Sequence, residues 1–236
     1  ALNNTNIIND GITAIGNNSY GYVLRSGSAL TNNTGVTAGN GSMFVYGDGA
    51  GNVINHGAVT LGGSNGIGFY TVNGGNIQNT GDITGTAGTA NVGIYNENGI
   101  INNTGKIRVG DSVIRDFEDS SKNSYAIGIY GDRTGITNTG DITVVSGGIG
   151  LAAITGQTSP TDKIDIVNKG NISVSGESSD GSMAIGMYSE IADIENSGSI
   201  NVGSNGIGIY SNAGDRSIEV KNDKMTLAGA EGIGIY

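Results

Sequence analysis

Few residues in this chain could do chemistry, and most of those lack the partners that chemistry needs. Gly62-Gly63-Ser64-Asn65-Gly66 fits the G-x-S-x-G pattern that presents a nucleophilic serine on a strand–turn–helix elbow. Gly203-Ser204-Asn205-Gly206 repeats most of it at an equivalent place, so the pattern reads as a recurring corner, and the helix context is missing. His56 is the only histidine and sits inside an Asn-His-Gly turn with no second ligand or acid recurring nearby. Polysaccharide-cleaving enzymes bring two carboxylates to one bond. Here Asp82, Lys106, Asp141, Asn171 and Ser199 fall at equivalent positions of successive repeats. Opposite charges alternate along that column, which favours stacking and separates the acids. No calcium-binding repeat or EF-hand loop occurs. We therefore expect no catalytic residue, no metal site and no cofactor. The best contact candidate is Arg115-Asp116-Phe117-Glu118-Asp119, an aromatic ring flanked by charges in a segment that departs from the repeat.

The repeat must position all of these residues. One motif, I-x-N-x-G-x-I, places its Asn at 9, 33, 55, 79, 103, 138, 168, 196 and 222. A second, I-G-I-Y, ends at Val23, Tyr46, Tyr70, Tyr95, Tyr130, Ala152, Tyr188, Tyr210 and Tyr236. The two series interleave strictly, giving nine copies of one unit about two dozen residues long. The strand-like runs are short, β-branched and bounded by Gly or Asn, which excludes a helical solenoid. The expectation is an all-β, right-handed, single-stranded parallel β-helix with three strands per coil, eight to nine coils and a length of roughly 40 Å at ~4.8 Å per coil. Residues 1–236 are expected to form one β-helix domain. The chain begins and ends inside a repeat, so it is also expected to be a segment of a longer protein.

Stacking in register turns equivalent residues into ladders. Asn55, Asn79, Asn103, Asn138, Asn168 and Asn196 are expected to form an internal amide ladder, each side chain bonding the next. The Gly two places on is expected to supply backbone freedom at the corner, and Asn222-Asp223-Lys224 lacks it, which predicts a distorted last coil. Period-2 alternation places Ile142 and Val144 inward and Asp141 and Thr143 outward. It also places Ile127 and Ile129 inward, with Gly128 and Tyr130 outward. Tyr70, Tyr95, Tyr130, Tyr188 and Tyr210 then form an outer aromatic ladder that covers bare glycine backbone; a contact strip is the other use of such a column. Insertions fall at 110–124 and 175–182 at one corner, and at 155–165 and 211–217 at the next. The Asn-x-Gly corner is never interrupted.

Composition limits the partners. The 236 residues include 44 Gly, one Pro, no Cys and no Trp, with a net charge of −10 and 14% charged residues. A nucleic-acid binder needs a basic stripe, and none exists. A polybasic membrane patch, a signal peptide and a membrane-spanning apolar run are absent from these residues. Disulfides and thiolate metal sites are excluded, which suits a chain crossing an oxidising compartment unfolded.

Repeats of Asn-Thr-Gly-Asp-Ile-Thr-Val (Asn138–Val144) together with Ala-Ile-Gly-Ile-Tyr (Ala126–Tyr130) and Asn- and Ser-rich connections resemble the passenger domains of large fusobacterial type V autotransporter adhesins. The similarity runs along essentially the whole chain. It implies a β-helix displayed outside the bacterial outer membrane, anchored by a translocator barrel that these residues do not contain. It further implies attachment to a host-cell or bacterial surface receptor, protein or glycan, by a monomeric chain. No binding residue of that family transfers, because no binding motif is matched. Two other functions are carried forward: a non-binding stalk that holds a distal adhesive tip, and a carbohydrate-active β-helix enzyme suggested by fold analogy alone.

Overall fold

The computed structural model describes residues 1–85, 87–113, 123–154, 165–176, 181, 183–215 and 217–236. All of its regular structure is β, and every pairing between its strands is parallel. Three strands recur in each coil. Asn76–Asn79, Ile83–Gly85 and Val92–Glu97 make one coil; Ile100–Asn103, Ile107–Gly110 and Ile127–Asp132 make the next. Each strand pairs with its counterparts one coil before and after, so the coils stack into three flat faces, and nine strands on the third face make about eight full turns of a β-solenoid. The first and second faces join into one 16-stranded sheet because Ile194–Val202 runs as a single strand through the Asn-x-Gly corner.

The core is a set of aliphatic columns along the axis. Ile77, Ile101 and Ile136 stack on the first face, Ile83, Ile107 and Ile142 on the second, and Phe69, Ile94 and Ile129 on the third; all are at most 1% exposed. β-branched residues suit such positions because their stiff side chains pack well on a pleated surface. Ile142 and Val144 face inward, as alternation requires.

The third face breaks that alternation. In Ile127–Asp132 both Gly128 and Ile129 are buried, whereas Ile127 and Tyr130 are half-buried on the outside. Gly128 therefore points inward and Ile127 outward, the reverse of the sequence expectation. The ladder skips the glycine, pairing Val92 with Ile127 and then Ile94 with Ile129. The strand kinks there, and the next coil's backbone crowds the site. A Cβ on Gly93 would lie 2.5 Å from Gly128 O, and one on Gly128 would lie 2.6 Å from Gly150 O. The Gly column exists to let coils approach, so the tyrosines cover no bare glycine.

The Asn corner also corrects its explanation. None of Gly57, Gly81, Gly105, Gly140, Gly170 or Gly198 has positive φ. A Cβ on any of them would stand 1.9–2.1 Å from a carbonyl oxygen of the preceding coil. Close stacking demands glycine here, whereas conformational freedom serves the other two corners, which turn through left-handed residues such as Asn65 and Asn98. In the last coil the register slips by one residue between Asn196 and Ser199, where Asp223 and Lys224 follow Asn222 without the glycine.

The insertions sit at the two expected corners, though Gly110, Ser175, Ser211 and Asn212 remain inside strands. Three of the four therefore begin later than their sequence boundaries. Residues 114–122, 155–164, 177–180, 182 and 216, which include Arg115, Asp116, Phe117, Glu118 and Asp119, lie outside the described residues.

Candidate contact face

One ladder runs the length of the helix. Inside the Asn corner, eight amide bonds of 2.6–2.7 Å join Asn9, Asn32, Asn55, Asn79, Asn103, Asn138, Asn168, Asn196 and Asn222. The second member is Asn32; Asn33, expected from the motif, instead donates to Asp10 at the surface. Counting from Asn32 also puts Val36 four places on, as Val59 follows Asn55. From Asn32 to Asn196, each Nδ2 also donates to a carbonyl two residues on, as Asn138 does to Gly140 O at 2.7 Å. Both amide hydrogens are thus used, which buried polar groups require.

In the outward column on the second face the expected alternation of charges is replaced by separate polar contacts, and the one at Lys106 is made by its backbone. Lys106 N donates to Asp82 Oδ1 at 2.9 Å, Asn171 Nδ2 to Asp141 Oδ1 at 3.0 Å, and Ser199 Oγ to Asn171 Oδ1 at 2.5 Å. His56 Nδ1 lies 2.9 Å from Thr80 Oγ1 one coil on. Ser64 Oγ accepts from Thr89 N at 3.0 Å, a corner-to-corner bond. Among the described residues, no group of three or more His, Cys, Asp or Glu side chains could hold a metal ion.

The outer side of the third face differs from all of this. Two parallel columns on it are apolar or aromatic, half-buried except at the exposed Tyr236. One contains Ile67, Val92, Ile127, Ile149, Ile185 and Ile207. The other is the tyrosine column. Tyr46, Tyr70, Tyr95 and Tyr130 stack with centroids 5.8, 4.5 and 4.9 Å apart and interplanar angles of 8–11°. Tyr188, Tyr210 and Tyr236 stack at 5.2 Å, with angles of 4° and 13°. Burial pushes the Tyr130 phenol up to about 12, helped by Asp132, Glu190 and Glu97. It raises Tyr95 and Tyr188 as well, the latter also through its hydrogen bond to Glu190.

Ala152 occupies the tyrosine position between these two stacks, paired with Tyr130 on one side and Tyr188 on the other. The sequence reading places Ala152 in the series of motif ends and goes no further. The signal was there, in Leu151-Ala152-Ala153 where neighbouring coils have Ile129-Tyr130-Gly131 and Met187-Tyr188-Ser189. The outward isoleucine column was missed because strict alternation turned it inward.

The insertion after Gly110 leaves the helix through a defined neck. Val113 and Ser124 exchange two antiparallel hydrogen bonds of 2.7 and 2.8 Å. Ser112 Oγ accepts from Ala126 N at 2.9 Å and donates to Gly147 O at 2.8 Å, fixing both ends of the insertion to the next coil. Comparison with protein-family models, with curated proteins and with solved structures finds no match to this chain.

Proposed function

We propose that this chain is part of the passenger of a bacterial cell-surface autotransporter adhesin. It attaches to other bacteria or host cells through its corner loops, with a membrane-anchored translocator barrel elsewhere in the parent protein. The resemblance of the repeats supports the setting. One observation carries the binding role. Val113 and Ser124 close an antiparallel neck while the coil continues in register on either side of it, Val109 on Val144 and Val92 on Ile127. A spacer has no need for such a neck, and loops on a rigid scaffold are where recognition is usually placed. A loop receptor site would contact a protein or glycan on the partner cell.

The continuous amide ladder and the two tyrosine stacks favour a second reading, a stiff stalk. The two separate in one experiment. Beads coated with the chain are compared with beads carrying a variant in which residues 114–123 are replaced by Asn-Gly, a two-residue hairpin loop that fits the Val113–Ser124 bridge. Loss of attachment to partner bacteria or host cells, with the β-sheet spectrum unchanged, supports the loop as the adhesive site. Equal attachment of both bead types removes this loop and points to another surface of the coil, and attachment by neither leaves the spacer.

A further inference from the structure

A ladder with one rung missing leaves a ring-shaped space. The coil repeat is ~4.8 Å, so Tyr130 and Tyr188, two coils apart, are separated by about 9.6 Å along the axis. Elsewhere in the column that distance is spanned by three stacked rings, as with Tyr70, Tyr95 and Tyr130 at 4.5 and 4.9 Å. At Ala152 the middle ring is replaced by a methyl group. The result is an open slot of about 380 Å³ with Tyr130 and Tyr188 as walls and Ile149, Ala152 and Ile154 from the intervening strand along its base. A ~150 Å³ apolar cavity already accommodates benzene. Ala152 itself is 1% exposed, so the open surface of the slot belongs to the flanking rings and isoleucines.

Charged groups of both signs stand just beyond the lining. Ile154 pairs with Asp132 in the preceding coil and Glu190 in the following one, so two carboxylates flank the outer end of the missing rung. Glu190 accepts the Tyr188 hydroxyl. Asp132 Oδ1 is buried without a hydrogen-bond partner, and Arg133 Nη1 stands 3.5 Å away. In the rest of the column the rung is a phenol whose hydroxyl is a donor, and these acceptors favour the same chemistry.

We propose that the Ala152 slot is a docking site for a donor-bearing aromatic side chain, a tyrosine or tryptophan, of a partner protein, which completes the stack between Tyr130 and Tyr188. The inserted ring gains two offset-stacked faces of the kind already present on both sides of the gap. Its hydroxyl or indole N–H reaches toward Asp132 and Glu190. The walls are rings and aliphatic side chains, and a pyranose would need several polar partners for its hydroxyls, so the slot suits an aromatic ring better than a sugar. The inference does not depend on the adhesin reading, because its test involves small probes and no cell attachment.

The test is an NMR titration of the intact chain with p-cresol and 3-methylindole, the side-chain analogues, beside methyl β-D-galactopyranoside. Saturable shifts of the Tyr130 and Tyr188 ring signals by the aromatic probes are expected, with a dissociation constant on the order of millimolar for so small a ligand. Ala152→Tyr fills the rung and is expected to weaken binding at least tenfold. Tyr188→Leu keeps an apolar wall without a ring and is expected to weaken it at least fivefold, which keeps the test open if the first variant misfolds. Binding of the pyranoside in place of the aromatics overturns the proposal. So does undiminished aromatic binding in either variant. Tyr125 stands at the rim, 36% exposed; binding seen only in Tyr125→Ala would show the slot filled by its own chain and also overturn it.

Discussion

Asn103 Nδ2 donates to Asn138 Oδ1 at 2.7 Å across 35 residues of chain, and Asn79 makes the same bond to Asn103 at 2.6 Å across 24. The insertion after Gly110 is therefore invisible to the ladder. Asn138 is fully buried and its Nδ2 serves both Asn168 Oδ1 and Gly140 O. Asn138→Asp keeps the shape but turns both donors into repulsive acceptors and buries a charge. At neutral pH it should cost at least ~3 kcal/mol, since each unsatisfied buried group costs ~1–3 kcal/mol and a charge more. Asn138→Leu should cost about 2–4 kcal/mol by the same reasoning. Urea unfolding gives the totals, and amide exchange at residues 136–142 and 166–172 should show the coils opening locally. Variants within ~0.5 kcal/mol of the parent chain, the range of ordinary surface changes, would end the idea that the ladder matters.

Glycines in this chain divide by what surrounds them. A Cβ on Gly81 would lie 2.0 Å from Gly57 O and 2.9 Å from Asn55 Nδ2, while one on Gly135 meets nothing within 4 Å. Gly81→Ala forces two coils apart against backbone that cannot yield, a loss on the order of 3 kcal/mol or more. Gly135→Ala is expected to be neutral or to stabilise by about 0.4–1 kcal/mol through the unfolded chain. Thermal unfolding of the pair side by side decides it, and equal melting temperatures would contradict the close-approach explanation.

The period alone made the coil, its three strands, the amide ladder and the outward tyrosines legible, because stacking in register converts spacing into contact. What failed was local. Asn32 and Asn33 are indistinguishable by residue type, and only counting from Val36 separates them. Ile127 and Gly128 were assigned opposite faces by an alternation that holds for a straight strand and breaks at the kink. A Cβ-to-carbonyl clash belongs to the neighbouring coil and has no trace in the local sequence. The Ala152 slot is a property of an absence in a column, which appears only when the copies are aligned on one another. The contact candidate Arg115–Asp119 falls outside the described residues, whereas the neck that carries it is defined.

Alkaline pH should unravel the third face first. The Tyr130 phenol is pushed up to about 12, and Tyr95 and Tyr188 are raised too, chiefly by burial. A raised pKa means the folded state holds its proton more tightly than the unfolded chain, whose tyrosines titrate near 10. That stabilisation is complete below about pH 10 and falls as pH rises toward 12, where the unfolded chain has already released the proton. Among the ten tyrosines, phenolate absorbance should reveal a late class containing these three, ionising together with loss of the β-sheet circular dichroism. Ionisation of all ten in one step near pH 10, with the β-sheet signal intact, would contradict the burial account.

Ser112 links the insertion to the helix and offers a way to loosen one without unfolding the other. Its Oγ is the acceptor for Ala126 N and the donor to Gly147 O, and the residue is 6% exposed. Ser112→Ala strands both backbone groups, a cost of ~1–3 kcal/mol. The loss should stay local, because the amide ladder and the pairing of Ile107 with Ile142 do not pass through Ser112. Amide exchange at Ala126 and Ser124 should accelerate, while that at Ile107 and Ile142 holds. If the loop is the adhesive element, attachment of coated beads should weaken in step with the loosened neck. Faster exchange at Ala126 with attachment unchanged would separate the neck from binding and shift weight to the stalk.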